Sequence, residues 1–205
     1  MSTTLPIALI DYGAGNVTSV ERALQRLGAA TQRSNSPDCI AKAEALLLPG
    51  VGHYAALIRA LDERALRAPL LDAIRRGVPF LGVCLGLQAL YESSEESPEL
   101  LGLHLLPGSV HSLPATVKLP HMGWNQIKLT RPSRLLERIS PGAFFYFAHS
   151  FGVNDAGGEA VALCNYGADF AAVIEKQNIF AVQFHPEKSG DAGAQLLKNF
   201  LRLAA

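Results

Sequence analysis

The chain has 205 residues, 49% of them hydrophobic and 18% charged, which predicts a single domain over residues 1–205 with a full hydrophobic core. Eighteen basic residues offset eighteen acidic ones, so we expect neither nucleic-acid binding nor a polybasic membrane segment. No signal peptide is expected, because residues 1–6 have no basic stretch before an apolar core. No membrane span is expected either, because no apolar run approaches ~18 residues. The three cysteines are widely spaced and odd in number. They predict no disulfide framework, no metal site and a reducing cytoplasm.

The first half of the chain alternates predicted strands and helices. Short apolar runs predict strands at residues 7–10, 30–33, 45–48 and 80–83. Apolar residues at helical spacing predict helices over residues 17–27, 54–65, 70–74 and 85–91. This alternation predicts a parallel sheet with right-handed crossovers. Ligands of such sheets bind outside the carboxyl ends of the strands.

The second half has a different pattern. Residues 93–99 are polar and predict an exposed connection, and prolines break residues 103–129 into short antiparallel strands and loops. Further on, the pattern predicts a strand at 144–147, a hairpin of 171–176 with 179–184, and a helix at 191–203. The expected fold class is therefore α/β, with a mostly parallel central sheet flanked by helices and an additional antiparallel region.

The segment Gly82-Val83-Cys84-Leu85-Gly86 lies between a predicted strand and a predicted helix. It has the layout of a nucleophile elbow, in which flanking glycines permit a sharp, strained turn. The helix start would favour the thiolate form of Cys84. The alternative is an inert buried cysteine that follows a core strand. The pentapeptide alone leaves both interpretations open.

Two glycine-rich segments also follow predicted strands. Pro49-Gly50-Val51-Gly52 is either an oxyanion-binding strand or an ordinary turn between a strand and a helix. Gly13-Ala14-Gly15 lacks the third glycine of a dinucleotide-binding fingerprint, because Thr18 stands there, so a tight turn is the better interpretation. We expect these segments and Cys84 to gather on one edge of the sheet.

His185 and Glu187 are two residues apart at the end of a predicted strand. In extended chain that spacing puts both side chains on one face, so the carboxylate can orient the imidazole. His149 is a rival base but has no acidic neighbour in sequence. Cysteine, histidine and glutamate in this order predict acyl transfer through a thioester. The remaining histidines are expected at the surface or in the core: His53, His104, His111 and His121.

Residues 120–125 read Pro-His-Met-Gly-Trp-Asn and show no periodicity. Trp124 would either cap the edge of the core or anchor a partner in an exposed loop. Composition alone favours the core edge.

Taken together, these motifs resemble the class I, triad-type glutamine amidotransferases. The resemblance rests on residues 82–88 and 185–187 and implies that family's flavodoxin-like architecture. Residues 10–16, 49–52, 120–125 and 183–189 narrow it to the glutaminase subunit of imidazole glycerol phosphate synthase, and it extends over essentially the whole chain.

The resemblance implies a role for each motif. Cys84 would attack the side-chain amide of glutamine, with His185 as general acid and base and Glu187 as its orienting carboxylate. Backbone N–H groups of Val51 and Leu85 would form the oxyanion hole. Substrate would be held by Gly50, Gly52, Gln88, Ser150 and Phe151. No cofactor is implied.

The resemblance also implies a partner, a (β/α)8-barrel cyclase subunit that forms a heterodimer with this chain and receives the ammonia. The residues implied at that interface are Asn16, His121, Met122, Trp124, Tyr146 and Lys188. For Trp124 this implication reverses the expectation from composition. His53 and Phe151 depart from residues frequent in the family, and neither belongs to the triad.

Other functions share parts of this pattern. The glutaminase of anthranilate, aminodeoxychorismate or pyridoxal phosphate synthesis is the nearest, and residues 120–125 argue against it. A γ-glutamyl hydrolase or cysteine peptidase would need no partner. A non-catalytic binding module would not need Cys84, His185 and Glu187 together.

Overall fold

A computed structural model describes residues 6–13, 16–154 and 158–205. The parallel core of the fold uses strands β1 (Ile7–Ile10), β2 (Thr31–Ser34), β3 (Leu46–Gly50) and β4 (Phe80–Cys84). Its helices are α1 (Val17–Arg26), α2 (Pro37–Ala41), α3 (Tyr54–Glu63), α4 (Arg67–Arg75) and α5 (Leu85–Gln88). Within these described ranges, no helix has the length and apolar character needed to cross a bilayer.

The rest of the chain is mainly β-structure. Its first strands are β5 (Ser93–Ser94), β6 (Ser109–Ser112), β7 (His121–Gln126) and β8 (Lys128–Leu129). They are followed by β9 (Phe144–His149), β10 (Phe151–Gly152), β11 (Ala160–Asn165), β12 (Asp169–Lys176) and β13 (Ile179–Val182). A 3-10 turn (Pro186–Lys188) and helix α6 (Gly190–Leu203) complete the described elements.

The central sheet has eight strands in the order β2-β1-β3-β4-β13-β12-β11-β8. Strands β2, β1, β3, β4 and β13 run parallel, and β12, β11 and β8 continue antiparallel. The predicted mostly parallel α/β sheet is therefore confirmed. Strand β13 is distant from β4 in sequence but pairs beside it, with Val182 opposite Val83. This pairing brings the chain after β13 next to Cys84.

Helices cover both faces of the sheet. Alternate strand residues point to opposite sides, so Leu46 and Phe80 pack toward α3 and α4 while Leu47 and Leu81 pack toward α1 and α6. Two buried clusters result, one on each face. The sheet is thus held rigidly, and its carboxyl edge can present side chains with little freedom.

Smaller sheets flank this edge. Strands β5, β6 and β10 form a three-stranded sheet, and β7 pairs antiparallel with β9 from His121–His149 to Gln126–Phe144. The predicted hairpin is confirmed as β12 and β13, with Gln177 at φ 54° in the turn. The predicted antiparallel region is also present.

Several predicted boundaries were wrong. Residues 120–125 are not an irregular segment, because β7 runs through residues 121–126. The polar stretch at 93–99 is not simply exposed, since it contains β5 and buries Ser94 and Ser97. The helix after Cys84 ends at Gln88 rather than residue 91. Helix α2 and strand β11 were not predicted.

Candidate active site

Cys84 lies at the last position of β4 and has a strained backbone, with φ 56° and ψ −108°. A non-glycine residue in this region of φ/ψ space costs on the order of 1–3 kcal/mol. The neighbouring glycines make the turn possible because, without side chains, they let backbone segments pack closely against each other. A Cβ on Gly82 would lie 2.5 Å from the Gly86 carbonyl oxygen, and one on Gly86 would lie 2.0 Å from that of Leu48. The segment has the geometry of a nucleophile elbow.

Parallel pairing places the other site segments beside this turn. Gly50 is in register with Cys84 across β3 and β4, so residues 51 and 52 follow at the same edge. A Cβ on Gly50 would lie 2.5 Å from the Cβ of Leu85, which explains why the backbone there can pack against the elbow. The sheet edge therefore gathers the segments that follow β3, β4 and β13. Ala14 and Gly15 lie outside the described residues.

His185 Nδ1 and Glu187 Oε1 are 2.9 Å apart, and both side chains are almost completely enclosed. The carboxylate accepts, so Nδ1 carries hydrogen and Nε2 is left to exchange a proton with the thiol. The predicted extended chain between the two residues is wrong. Residues 186–188 form a 3-10 turn, and the side chains meet across it.

The charge state of His185 follows from its neighbours. Burial by itself lowers its pKa, but hydrogen bonds to Cys84 and Glu187 and the negative charge of both outweigh burial and raise the pKa to about 10. The imidazolium is therefore stabilised between the sulfur and the carboxylate. An imidazolium next to a cysteine favours the nucleophilic thiolate.

The loop that carries His185 is fastened to β9. The His185 N–H donates to the Tyr146 carbonyl at 2.8 Å. The Ser189 hydroxyl donates to the His185 carbonyl at 2.6 Å and accepts from the Tyr146 N–H at 3.0 Å. These three bonds hold the histidine backbone against a strand that also forms part of the outer surface.

Cys84 and His185 line a cavity of about 430 Å³. The residues expected at the oxyanion hole or substrate also line it, with the exception of Gly50, which lies beneath Leu85. They are Val51, Gly52, Leu85, Gln88, Ser150 and Phe151. Asn16 and Lys188, expected at the partner interface, line the same cavity.

Gln88 and Gln183 form a buried network behind the nucleophile. The Gln88 side-chain N–H₂ donates to the Phe151 carbonyl at 2.9 Å and to Gln183 Oε1 at 3.2 Å. Gln183 Nε2 in turn donates to Cys84 Sγ at 3.6 Å. We assigned Gln183 no role from sequence, although a polar residue that directly follows an apolar strand was a usable signal.

Glu96 is a second cavity residue to which the sequence pattern assigns no role. It lines the cavity, and its Oε2 accepts from the Tyr54 N–H at the start of α3 at 2.7 Å. Because the Glu96 carboxylate lines the cavity and is not part of the candidate triad, it can bind a cationic group. Nothing in the local pattern of residues 93–99 pointed to it.

His149, the rival base, also lines the cavity, but both of its nitrogens are engaged. Nδ1 is 2.8 Å from the Phe151 carbonyl, and Nε2 is 3.1 Å from His121 Nδ1. Burial lowers the pKa of His149 to about 3. A neutral imidazole with no free nitrogen is a poor general base. His53 instead caps α3, where its Nδ1 accepts from the Ala55 N–H at 3.2 Å.

The two-stranded sheet of β7 and β9 has one buried and one exposed face. Met122 and Trp124 are 64% and 54% exposed, so Trp124 does not cap the core edge as composition suggested. Its ring packs edge-on against Tyr146, which also lies 5.5 Å from Lys188 Nζ. His121 points the other way and is buried. Of the six residues expected at the interface, His121 is the one that lies inside.

Comparisons with known proteins agree with this fold. The family model described as glutamine amidotransferase class-I matches residues 8–204. A solved structure titled as a glutamine amidotransferase has a TM-score of 0.78 to this chain at 19% identity, covering 97% of this chain and 98% of the other. The chain belongs to the class-I glutamine amidotransferase family.

Within that family, the chain is similar in sequence to proteins that share one name. Imidazole glycerol phosphate synthase subunit HisH of Moorella thermoacetica is 47% identical over 95% of this chain and 93% of its own length. The protein of the same name from Methanothermobacter thermautotrophicus is 45% identical over 96% of this chain and 98% of its own length.

Proposed function

We propose that this chain is the glutaminase subunit of an imidazole glycerol phosphate synthase. It hydrolyses glutamine to glutamate and ammonia and passes the ammonia to a cyclase subunit. The observation that carries the proposal is the enclosed His185–Glu187 pair beside a strained Cys84 at the edge of one cavity. The identity to proteins named as HisH supports the choice of synthase.

The proposed chemistry has two halves. The Cys84 thiolate attacks the carboxamide carbon of glutamine, and His185 donates a proton to the leaving nitrogen, so ammonia departs and a glutamyl thioester forms. Water then attacks the thioester while His185 takes its proton, which releases glutamate and restores the Cys84 thiolate beside protonated His185. The net reaction consumes one water for each glutamine. N–H groups of Val51 and Leu85 would stabilise the oxyanion, each worth roughly 3 kcal/mol.

The polar groups of the cavity suit glutamine as substrate. Gln88 is buried and both of its N–H bonds are used, but its Oε1 accepts no hydrogen bond among the described residues. A buried acceptor without a donor is costly, and an N–H group of the substrate would satisfy it. Glu96 offers a negative charge for the α-ammonium group. These features support an amino-acid amide rather than a peptide.

The exposed apolar face of β7 and β9 supports a protein partner. Trp124 packs against Tyr146, and Met122 lies exposed on the same strand opposite Ala148. Aromatic residues and methionine are enriched in interfaces. Lys188 reaches from this face to the catalytic cavity. We therefore propose a (β/α)8-barrel cyclase as the partner in a heterodimer, docked where ammonia would leave, in the reducing cytoplasm that the cysteines predict.

Ammonia release from glutamine tests the proposal. Wild type and Cys84→Ala would each be assayed alone and with a cyclase subunit and its ribonucleotide substrate. We expect release by wild type in the complex, little release by the chain alone, and a loss of at least about 1,000-fold in Cys84→Ala.

Two results would contradict the proposal. Equal release with and without the cyclase would indicate a freestanding glutaminase. No release by the folded wild-type complex would indicate a different synthase or a binding module. Cys39→Ala is the matched control, because Cys39 is also a free thiol and lies outside the cavity.

A further inference from the structure

We propose that His121 and His149 are positioning residues of the glutamine site, which tie the Phe151 carbonyl and the Gln88 amide to strand β7. This inference rests on the proposed function, since it concerns how that substrate is held. It gives a role to His121, which lies too deep to meet a partner, and to His149, which has no free nitrogen for catalysis.

The hydrogen atoms of the two imidazoles are assigned by their partners. The Phe151 carbonyl can only accept, so His149 Nδ1 is the donor in their 2.8 Å bond. A neutral imidazole has one donor, and therefore His149 Nε2 accepts from His121 Nδ1 at 3.1 Å. His121 Nε2 is then an acceptor and faces the Asn125 amide at 3.4 Å. A single arrangement satisfies the whole set.

The hydrogen bonds of this histidine pair connect directly to those of the candidate catalytic site. The Phe151 carbonyl that accepts from His149 also accepts from Gln88, and Gln88 leads through Gln183 to the Cys84 sulfur. With both N–H bonds of Gln88 committed in this way, its Oε1 is the group left for substrate. The Phe151 carbonyl thus orients the Gln88 amide, and His149, held by His121, fixes the position of that carbonyl.

Aromatic rings hold His121 in place. It is stacked between Phe147, at 4.8 Å, and Tyr166, at 4.0 Å between ring centroids. His149 packs edge-on against Phe170. Burial lowers the pKa of His121 to about 4 and contributes most to the low pKa of His149, so both stay neutral at physiological pH. The outer face of the same strand carries Met122 and Trp124.

The test compares His121→Phe with Tyr166→Phe. His121→Phe keeps an aromatic ring in the stack but removes the donor to His149. Tyr166→Phe also keeps its ring and loses one hydrogen bond, from its hydroxyl to the Lys118 carbonyl at 2.8 Å. That bond is not part of the hydrogen-bond network of the two histidines. His121→Asn restores a donor near the Nδ1 position and serves as the rescue variant. Thermal melts at pH 8 establish that each variant is folded.

The readout is modification of Cys84 in the complex with the cyclase subunit, measured by mass spectrometry. A chloroketone analogue of glutamine reports substrate recognition, and iodoacetamide reports thiol reactivity alone, with Cys39 as an internal reference. We expect the ratio of the two rates to fall about tenfold in His121→Phe, to stay near wild type in Tyr166→Phe and to recover partly in His121→Asn. In the complex, KM for glutamine should rise more than kcat falls.

The proposal is overturned if His121→Phe keeps the wild-type ratio, or if Tyr166→Phe loses as much, because the role would then be one of packing. If wild type itself shows no preference for the glutamine analogue and no protection by glutamine, the proposed function fails, and the positioning role fails with it. A wild-type preference that only His121→Phe loses supports both.

Discussion

Glu187 is the most enclosed member of the proposed catalytic triad, and its negative charge lies against His185. Its side chain is fully shielded from solvent, and one oxygen binds His185. The other oxygen has no hydrogen-bond partner within the described ranges. Burying a carboxylate is costly unless it is paired. The site therefore retains this charge for its effect on His185 rather than for stability.

Replacing Glu187 by glutamine should separate charge from geometry. The amide oxygen can still accept from His185 Nδ1, but the pKa of His185 should fall, because one of the two groups that oppose burial loses its charge. We expect glutamine hydrolysis in the complex to drop at least about 100-fold. Activity would be measured together with an NMR titration of His185.

Glu95→Gln is the matched control for this change. Glu95 Oε1 lies 2.9 Å from His111 Nδ1, the same distance as in the catalytic pair, but both side chains are about half exposed. Solvent screens such a pair strongly, so this variant should keep wild-type activity. An unchanged His185 titration in Glu187→Gln would show that the carboxylate charge does not set the pKa.

Strand β7 has two faces with different roles, and this is a property of the element rather than of any one residue. Its alternation puts His121 toward the cavity wall and Met122 and Trp124 outward. On β9 the paired residues Tyr146 and Ala148 continue the outer face. A change on the outer face should therefore alter partner binding without unfolding the chain.

Trp124→Ala tests the outer face of β7. Because the tryptophan is 54% exposed and packs mainly against Tyr146, we expect the unfolding free energy to change by less than about 1 kcal/mol. Affinity for the cyclase subunit should fall at least about 30-fold, as for a central aromatic anchor. Titration calorimetry measures the affinity directly.

Leu101→Ala provides the comparison on a different surface. Leu101 is 61% exposed and lies where Arg67 of α4 binds its carbonyl, away from β7. It should bind the cyclase with wild-type affinity. Equal losses in Leu101→Ala and Trp124→Ala would place the interface elsewhere.

At the scale of the whole molecule, buried histidines make stability depend on pH in opposite directions. The pKa values of His121 and His149 are lowered to about 4 and about 3. An unfolded histidine titrates near 6.5, so the unfolded chain takes up protons first as the pH falls. These two histidines therefore reduce the stability of the fold as the pH falls below 6.5. His185, with its pKa raised to about 10, stabilises the fold below pH 6.5 and loses that effect as the pH rises toward 10.

His121→Phe should isolate one of these contributions. Between pH 7.5 and pH 5, the variant should lose less unfolding free energy than wild type, by on the order of 2 kcal/mol, because one proton-linked group is gone. Urea unfolding at both pH values measures the difference. Tyr166→Phe should keep the wild-type pH dependence, and an identical dependence in His121→Phe would mean that His121 is protonated alike in both states.

Local sequence was enough to predict much of the fold and the candidate triad. A Gly-x-Cys-x-Gly turn and a His-x-Glu pair encode geometry within a few residues, and the alternation of strands and helices predicts a parallel sheet whatever the strand order. The same local view failed at β7, where a Gly and an exposed Trp hide the period of two, and at residues 186–188, which turn instead of extending.

The sequence by itself thus determined the candidate nucleophile, its candidate base and the class of sheet. Only the tertiary structure decided which other residues surround them. The contacts of His121 with His149, Gln88 with Gln183, and Gln183 with Cys84 join residues 28, 95 and 99 positions apart. Such pairs depend on β13 inserting beside β4 and on β7 pairing with β9. No local pattern specifies those pairings, because they are selected by the burial of both faces of the sheet at once.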